Sequence, residues 1–280
     1  RMLPTISSHI RRAHILPAPG ARDKLLGFYS SLFSRSWADA RVVEREDAQG
    51  LGMRGGWMPE VTVPRELFLG VQKSDRVRYL EVMKAGRSRL WCRGPQGIQF
   101  TLTVADEENC HAEDCAPFPE QPRRRGVLNW ADIAVEKGTE REVAHFTEIV
   151  FEWRLAKPVA IPEDKGLYIT ALNSSGETEN RHKLCGIVPY EVLTPARPMS
   201  EFIPMFAVES EDTVKELLSI AQSQDAKVLM PPVPADGMIT LLEDPWQGAF
   251  GIYHRTDDWN AAKETTILTN DIRTDEVFAC

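Results

Sequence analysis

The segment at residues 109–115, with the sequence NCHAEDC, brings two cysteines, one histidine and two acids close together in the chain. Thiolate and imidazole groups are the usual ligands of a structural zinc ion, so Cys110, His111 and Cys115 could bind one. The spacing argues against a zinc site, because the C-x2-C pair typical of such sites is absent and no second pair follows nearby. We therefore predict an exposed polar loop at this position.

The composition is that of an ordinary soluble globular protein. Of the 280 residues, 42% are hydrophobic and 26% are charged, and the mean hydropathy is −0.30. A chain of this length suits two domains of about 100–150 residues, each with its own core. The formal net charge of −8 argues against nucleic acid as the main partner. No apolar run approaches the roughly 20 residues needed to span a bilayer, so we predict no membrane span.

The cysteines and the start of the chain bear on the compartment. The five cysteines are an odd number and widely scattered, which favours a reducing interior over a disulfide scaffold. Residues 1–22 contain arginines and no acid, as at the end of a segment that targets an organelle. A chain trimmed at its start explains this feature equally well. We expect the cytosol or an organelle such as a mitochondrion or plastid, and the sequence leaves that choice open.

Two stretches in different halves of the chain align without a gap. They are FLGVQKSDRV at residues 68–77 and MFAVESEDTV at residues 205–214. Each has the pattern of a short apolar strand followed by an amphipathic helix. We expect the helices to begin at Asp75 and Asp212, because an aspartate accepts hydrogen bonds from the free amides of a first helical turn. A Pro/Gly turn and a further strand, GPQGIQFTLTV or DPWQGAFGIYH, follow each helix.

A second pair of related stretches lies upstream of the first pair. Residues 14–37 resemble residues 130–153, and both predict a strand, a loop and a helix closed by a tryptophan. With about three strands after each helix, the chain consists of four βαβββ units. A lone unit leaves one sheet face bare, so we expect the units to close in pairs. The predicted fold class is α+β. An N-terminal domain, a Pro-rich charged linker, a C-terminal domain and a tail are predicted at residues 1–114, 115–126, 127–258 and 259–280.

The units of the second half resemble the vicinal oxygen chelate superfamily, which includes glyoxalase I, bleomycin-resistance proteins and extradiol dioxygenases. The resemblance is carried by NWADIAV, EVAHFTEIVFEW, CGIVPYE, FIPMFAVESEDTVKELLSIAQSQDAKVLMPPV and DPWQGAFGIYH, which cover most of residues 126–256. FYSSLF and GPQGIQF extend it into the first half. The resemblance implies two tandem glyoxalase-like domains, each of paired βαβββ modules that form a cupped mixed sheet around a cavity.

The first half is shorter than the second half in this comparison. From Asp75 to Gly94 is 94 − 75 = 19 positions, whereas from Asp212 to Asp244 is 244 − 212 = 32 positions. We therefore predict that the first half has lost roughly a hairpin, and that its cup is shallow or incomplete.

Enzymes of this superfamily hold a divalent metal through His and Glu side chains on the first and last strands of paired modules, and the metal acts as a Lewis acid. The resemblance makes His14 a candidate first ligand, because it stands 28 − 14 = 14 residues before Phe28. Glu66, near the start of the next predicted strand, is a candidate second ligand. Thr101 stands where the closing strand should offer Glu. The alternatives are a half-buried strand histidine at His14 and a solvated carboxylate at Glu66.

The second half offers still fewer ligands. Its opening position carries Asn129 or Trp130, and its closing strand offers Gly251 or Tyr253 instead of a carboxylate. Glu201, near the start of the last module, is predicted to be a solvated strand-edge carboxylate. A metal site needs about three to four protein ligands that converge from different strands. We therefore predict no metal cofactor, with one divalent metal as the alternative.

Aromatic residues are a further indication of function. In this fold, the strands that line the second cavity carry Trp130, Glu201, Phe206, Phe250 and Tyr253. An aromatic cavity with few charges suits a flat or apolar ligand that is held by stacking and burial. The same aromatic side chains could equally form the core.

Three functions are consistent with these features. The chain could bind a small apolar or aromatic molecule without metal chemistry, which requires an open aromatic cavity. It could be a pseudoenzyme that serves as an accessory or structural subunit beside other protein subunits, which requires filled cavities. It could be a metal-dependent lyase, isomerase or dioxygenase with displaced ligands. The missing ligands favour the first two functions, so we expect a non-catalytic protein.

Overall fold

The computed structural model describes residues 8–42, 56–73, 80–104, 126–172, 183–195, 197–234 and 237–255. The predicted loop with Cys110, His111 and Cys115 lies outside the described residues, as do the linker up to residue 125 and the tail. The described strands form two mixed sheets with helices, so the predicted α+β class is confirmed. None of the described helices combines the length and the apolar character needed to cross a membrane.

The first half forms a sheet whose strand order differs from the order along the chain. Its described elements are β1 (His9–Leu16), α1 (Arg22–Leu32), α2 (Arg35–Asp39), β2 (Gly56–Val63), α3 (Arg65–Lys73), β3 (Glu81–Ala85), β4 (Arg89–Arg93) and β5 (Gln99–Val104). The sheet order is β1-β2-β5-β4-β3. Strand β2 is antiparallel to β1 and parallel to β5, so it lies at the centre of the paired units.

The second half forms a larger sheet around two central strands. Its described elements are β6 (Val127–Val135), α4 (Glu140–Phe151), β7 (Arg154–Leu155), β8 (Val159–Ile161), β9 (Gly166–Leu172), β10 (Lys183–Pro189), α5 (Tyr190–Leu193), β11 (Glu201–Ala207), α6 (Glu211–Gln222), β12 (Lys227–Pro234), β13 (Gly237–Glu243) and β14 (Ala249–Arg255). The order is β12-β13-β14-β11-β6-β10-β9-β7, and β8 pairs with β9. The central strands β6 and β11 are antiparallel, and each is parallel to the last strand of its own unit.

Helix α3 begins ten residues earlier than predicted, since 75 − 65 = 10. Phe68 and Val71, which the gapless alignment assigned to a strand, lie in this helix and are buried. Apolar residues at this spacing fit one face of a helix as well as a short strand. The alignment with residues 205–214 therefore matched a helix to a strand, and this prediction is wrong.

The first half is shortened, since its described strands form a five-stranded sheet and those of the second half a nine-stranded sheet, but the loss does not lie in the interval from Asp75 to Gly94. Residues 75–86 are predicted to be helical, but β3 occupies Glu81–Ala85 and pairs with β4, with Val82 opposite Cys92. Strand β4 in turn pairs with β5, so this unit has the whole βαβββ order. The shortening lies in the first unit. Only 56 − 39 − 1 = 16 residues separate α2 from β2, whereas 201 − 151 − 1 = 49 residues separate α4 from β11.

Helix α6 agrees with the prediction to within one residue, but its cap differs. Ser210 is the N-cap, and its hydroxyl accepts a hydrogen bond from the Thr213 backbone amide at 3.1 Å. Asp212 lies inside the first turn, where a negative charge interacts favourably with the helix dipole. Serine is as good an N-cap as aspartate, so residue type alone does not choose between Ser210 and Asp212, which lie two positions apart.

The two halves share one hydrophobic core, because one contiguous cluster of buried residues has members in both halves. Phe250 of β14 packs against Tyr29 of α1, with ring centroids 5.5 Å apart. Phe206 of β11 packs against Trp37 of α2 at 5.1 Å. The Tyr29 hydroxyl also donates a hydrogen bond to Asp244 Oδ2 at 2.7 Å, across the boundary between the halves. Neither half is therefore closed without the other.

Phe250 provides a test of this shared core. We expect Phe250→Ala to lower the free energy of unfolding by about 3–5 kcal/mol, because it removes a fully buried ring and leaves a cavity. Leu69 of α3 is exposed, and Leu69→Ala should change the same quantity by less than about 0.5 kcal/mol. Urea denaturation followed by circular dichroism measures both variants. Equally small losses would contradict the core position of Phe250.

Candidate functional site

Each sheet has one face in the shared core and one face turned away from it. We call the face that is turned away the cup face, so the first and second sheets have the first and second cup faces. Side chains alternate between the two faces along a strand. On β1, Ile15 belongs to the core, so its neighbour His14 lies on the cup face. On β2, Val61 belongs to the core, so Glu60 lies on the cup face. The alternation thus brings an imidazole and a carboxylate to the same side of the first sheet.

Glu60 is the centre of the first cup face. Its side chain is 0% exposed, and its Oε2 lies 2.7 Å from His14 Nε2 and accepts a hydrogen bond from Arg89 Nη2 at 3.0 Å. Its Oε1 lies 3.6 Å from Arg12 Nε. Burial raises the pKa of Glu60, but the hydrogen bond with His14 and the charges of the three basic groups outweigh it and keep the pKa below its usual value. Glu60 is therefore a buried carboxylate that basic side chains hold ionised.

These residues do not fit a divalent metal. The described residues include no group of three or more His, Cys, Asp or Glu side chains that could hold one. His14 and Glu60 contact each other directly, and Arg89 brings a positive charge to the oxygen that they share. Thr101, opposite Glu60 on β5, has its hydroxyl 3.5 Å from the backbone oxygen of Pro59. The charge that balances Glu60 thus comes from side chains.

The structure separates the two predicted ligands of the first half. Glu66 lies in the first turn of α3 and is exposed, so it does not stand on the strand beside His14. Glu66 was predicted near the start of a strand, and it lies in a helix because α3 begins earlier than predicted. Glu60 was missed, although WMPEVTV, with an acid inside an apolar strand, carries a signal for it. Arg89 gave no signal, because it follows Glu60 by 29 residues and the two strands are not neighbours in the sheet.

The second cup face is filled by its own side chains. Trp130 of β6 and Tyr253 of β14 pack together, with ring centroids 4.2 Å apart and planes inclined by 51°. Met205 of β11 is fully buried and lies opposite both Trp130 and Gly251 in the strand register. A Cβ atom at Gly251 would overlap Sδ and Cε of Met205 and would lie 2.9 Å from Leu241 Cδ2. A larger side chain at this position would therefore have to displace the ends of Met205 and Leu241.

One acid on this face is not among the residues predicted from the sequence. Asp132 lies as far before Phe146 as His14 lies before Phe28, since 146 − 132 = 28 − 14 = 14. The spacing that selected His14 therefore also selects Asp132. Asp132 is 7% exposed, and the residue opposite it on β11 is Ile203. An apolar residue at that position offers no second ligand.

The five residues predicted to line the second cavity divide between the two faces. Trp130, Glu201 and Tyr253 lie on the cup face, where Trp130 and Tyr253 belong to a buried apolar cluster. Phe206 and Phe250 face the shared core, and both are fully buried there. These four aromatic side chains therefore pack into two clusters on opposite faces of the sheet.

Arg197 connects Glu201 and Glu243 at one end of the second cup face. Glu201 Oε1 lies 2.8 Å from Arg197 Nε. Arg197 Nη1 donates a hydrogen bond to Glu243 Oε2 at 3.0 Å, and Lys227 Nζ donates one to Glu243 Oε1 at 2.8 Å. The Glu201 side chain is only 13% exposed, which corrects the prediction of a solvated strand-edge carboxylate. Burial, offset only in part by Arg197, raises the pKa of Glu201 to about 8.

The raised pKa of Glu201 predicts a stability that depends on pH. Because the folded protein holds this proton more tightly than the unfolded chain, the contribution is present below the usual pKa of 4.5 and is lost as the pH rises to about 8. Between about pH 5 and pH 8, the wild type should lose about 2–4 kcal/mol more of its free energy of unfolding than Glu201→Gln. Chemical denaturation at both pH values measures this difference. Parallel curves for the two proteins would contradict it.

Comparison with known proteins finds likeness in fold only. No protein-family model and no curated protein matches the sequence. The 2,2',3-trihydroxybiphenyl 1,2-dioxygenase of Sphingomonas wittichii aligns with a TM-score of 0.56 at 12% identity, over 89% of this chain and 90% of that one. Homoprotocatechuate 2,3-dioxygenase of Arthrobacter globiformis gives 0.53 at 11%, over 90% and 80%. An extradiol ring-cleaving dioxygenase of B. fuscum gives 0.52 at 9%, over 92% and 74%.

Proposed function

Because the chain has the fold of the vicinal oxygen chelate superfamily, we propose that it is a glyoxalase-like protein without metal chemistry that serves as an accessory or structural subunit of a larger assembly. We place this assembly in the cytosol or in an organelle. One observation carries the proposal: Met205 occupies the space above Gly251 on the closing strand of the second cup. A position that could have held a carboxylate is thus part of a packed apolar cluster.

A packed cup favours a subunit over a small-molecule binder. Trp130 is 7% exposed, Tyr253 is 2% exposed and Met205 is 0% exposed. These side chains pack against one another, whereas a ligand site needs a cleft of about 300–1,000 Å³ whose lining side chains can contact the ligand. A fold whose cup is filled can still present its outer surface to other chains. The proposed partners are therefore protein subunits.

Native mass spectrometry of the protein isolated from its source tests this role. We expect a stable complex with other protein chains that survives gel filtration. A free monomer or dimer that carries a bound metabolite would overturn the subunit role and support the small-molecule binder instead.

Metal analysis tests the alternative of a metal-dependent lyase, isomerase or dioxygenase. After incubation with Fe²⁺, Mn²⁺ or Zn²⁺ and dialysis, the protein should retain far less than one equivalent, because two ligands hold an ion poorly. Glu60→Gln and Glu66→Gln form a matched pair, since one acid lies on the cup face and the other on the exposed side of α3. A stoichiometric ion that only Glu60→Gln removes would overturn the proposal of a protein without metal chemistry.

A further inference from the structure

Two arginines of the first cup face remain accessible although they contact a buried acid. Arg89 reaches Glu60 through Nη2, and Arg12 reaches it through Nε. Their side chains are 41% and 34% exposed, whereas that of Glu60 is 0% exposed. A guanidinium group has five N–H donors. Within the described part of the chain, most donors of both arginines are therefore available to a ligand.

Positive charge exceeds negative charge at this position. Arg12 and Arg89 carry one positive charge each, and Glu60 carries one negative charge. The chain as a whole has a formal net charge of −8, so the local sign is opposite to the overall sign. Such a local excess attracts anions.

Glu60 holds the two guanidinium groups in place. Arg89 starts on β4 and crosses β5 to reach Glu60 on β2, and Arg12 approaches from the opposite side on β1. Thr103 on β5 and Thr62 on β2 lie on the same face, with their hydroxyl oxygens 3.3 Å apart. Long side chains that are ordered in advance lose less entropy when they bind a ligand. The buried carboxylate therefore prepares the arginines for an anion.

We infer that the first cup face is a binding site for a small molecule that carries a phosphate or carboxylate group, bound by Arg12 and Arg89 with Glu60 as their support. The planar guanidinium matches both groups, because it can donate two parallel hydrogen bonds to two oxygens. The inference goes beyond the proposed subunit role. It concerns the other sheet, and a free protein and a subunit could both carry such a site.

Isothermal titration calorimetry on the full chain tests this site with inorganic phosphate and, separately, with acetate. Sodium chloride at equal ionic strength is the control for general screening. We expect at least one of the two anions to bind, and the stronger binder identifies the ligand group. Arg89→Gln should weaken binding by about tenfold or more, because it removes one of two charge-assisted contacts.

Arg93→Gln is the matched control for Arg89→Gln. Arg93 lies on the same strand and face and is 30% exposed, but it pairs with Glu81 at 3.0 Å instead of with Glu60. Its substitution should leave the affinity within about twofold of the wild type, since exposed charges act weakly at a distance. Equal weakening by the two variants would overturn the inference, as would the absence of any binding of either anion up to about 10 mM.

Glu60→Gln tests the support that Glu60 gives to the two arginines. It keeps the shape of the side chain but removes the charge that holds both guanidinium groups, so the anion should bind about threefold more weakly or worse, provided that circular dichroism shows a folded protein. An unchanged or tighter affinity in folded Glu60→Gln would contradict the supporting role of Glu60. If this variant does not fold, Arg12→Gln combined with Arg89→Gln decides, because binding should then be lost and its persistence would overturn the inference.

Discussion

Gly251→Glu should leave little or no stably folded protein. The new side chain would have to displace Met205 and would place a carboxylate among the buried apolar side chains of the second cup face. Overpacking a core and burying an unpaired charge each carry a large penalty, so we expect a loss of at least about 4 kcal/mol in the free energy of unfolding. Soluble yield, circular dichroism and urea denaturation measure the effect.

Matched variants separate the steric part of this effect from the charge. Gly251→Ala adds only the overlapping carbon and should cost about 1–3 kcal/mol. Met205→Ala alone should cost about 2–5 kcal/mol, because it leaves a cavity. The variant with both substitutions should be more stable than the sum of the two losses predicts. The shorter side chain at position 205 leaves space for the carbon added at position 251, and that carbon fills part of the cavity. A Gly251→Glu protein as stable as the wild type would show that the second cup is not filled.

Glu60→Ala should be nearly as damaging in the first half. It leaves Arg12, Arg89 and His14 close together without the carboxylate that balances them. Removing one partner of a fully buried ion pair typically costs about 3–5 kcal/mol, but Arg12 and Arg89 are 34% and 41% exposed, so we expect a loss of about 2–4 kcal/mol in urea denaturation at neutral pH. Glu60→Gln, which keeps the shape of the side chain, should cost less. Glu66→Ala on exposed α3 should change stability by less than about 0.5 kcal/mol.

The loss caused by Glu60→Ala should depend on pH in a defined direction. Because the pKa of Glu60 is lowered in the folded protein, its stabilising contribution is present above the usual pKa of 4.5 and is lost as the pH falls through the folded value. Wild type and Glu60→Ala should therefore become more alike in stability as the solution is acidified. A difference that grows towards low pH would contradict an ionised Glu60.

The sequence predicted the second half of the fold better than the first. Helix α6 begins within one residue of its predicted start, because an apolar strand, a polar cap and an amphipathic face follow one another there. In the first half, strand β2 has Pro59 and Glu60 at its centre, so its pattern is not that of a strand. The apolar residues of α3 follow directly, and their spacing predicted a strand at that position. The sequence pattern of a strand is therefore not recognisable in β2, because the buried Glu60 interrupts its run of apolar residues.

The candidate site could be predicted only in part. Phe250 and Tyr253 lie 253 − 250 = 3 positions apart on one strand, so they face opposite sides, and this parity was available from the sequence. The strand register that sets Met205 opposite Gly251 was not available, because it depends on pairing between distant segments. The same holds for Arg89, which meets Glu60 only after β5 has come between their strands.

The hydrogen bond between Tyr29 and Asp244 and the rings around it have a consequence for heat denaturation. A chain with two sheets would ordinarily melt in two steps if each sheet had its own interior. Because the two sheets share an interior, we expect one cooperative transition. A substitution that weakens α1 should therefore lower the melting temperature of the second sheet, which is distant in sequence, as much as that of the first sheet. Replacing either half by an unrelated domain would therefore also require new buried side chains in the half that remains.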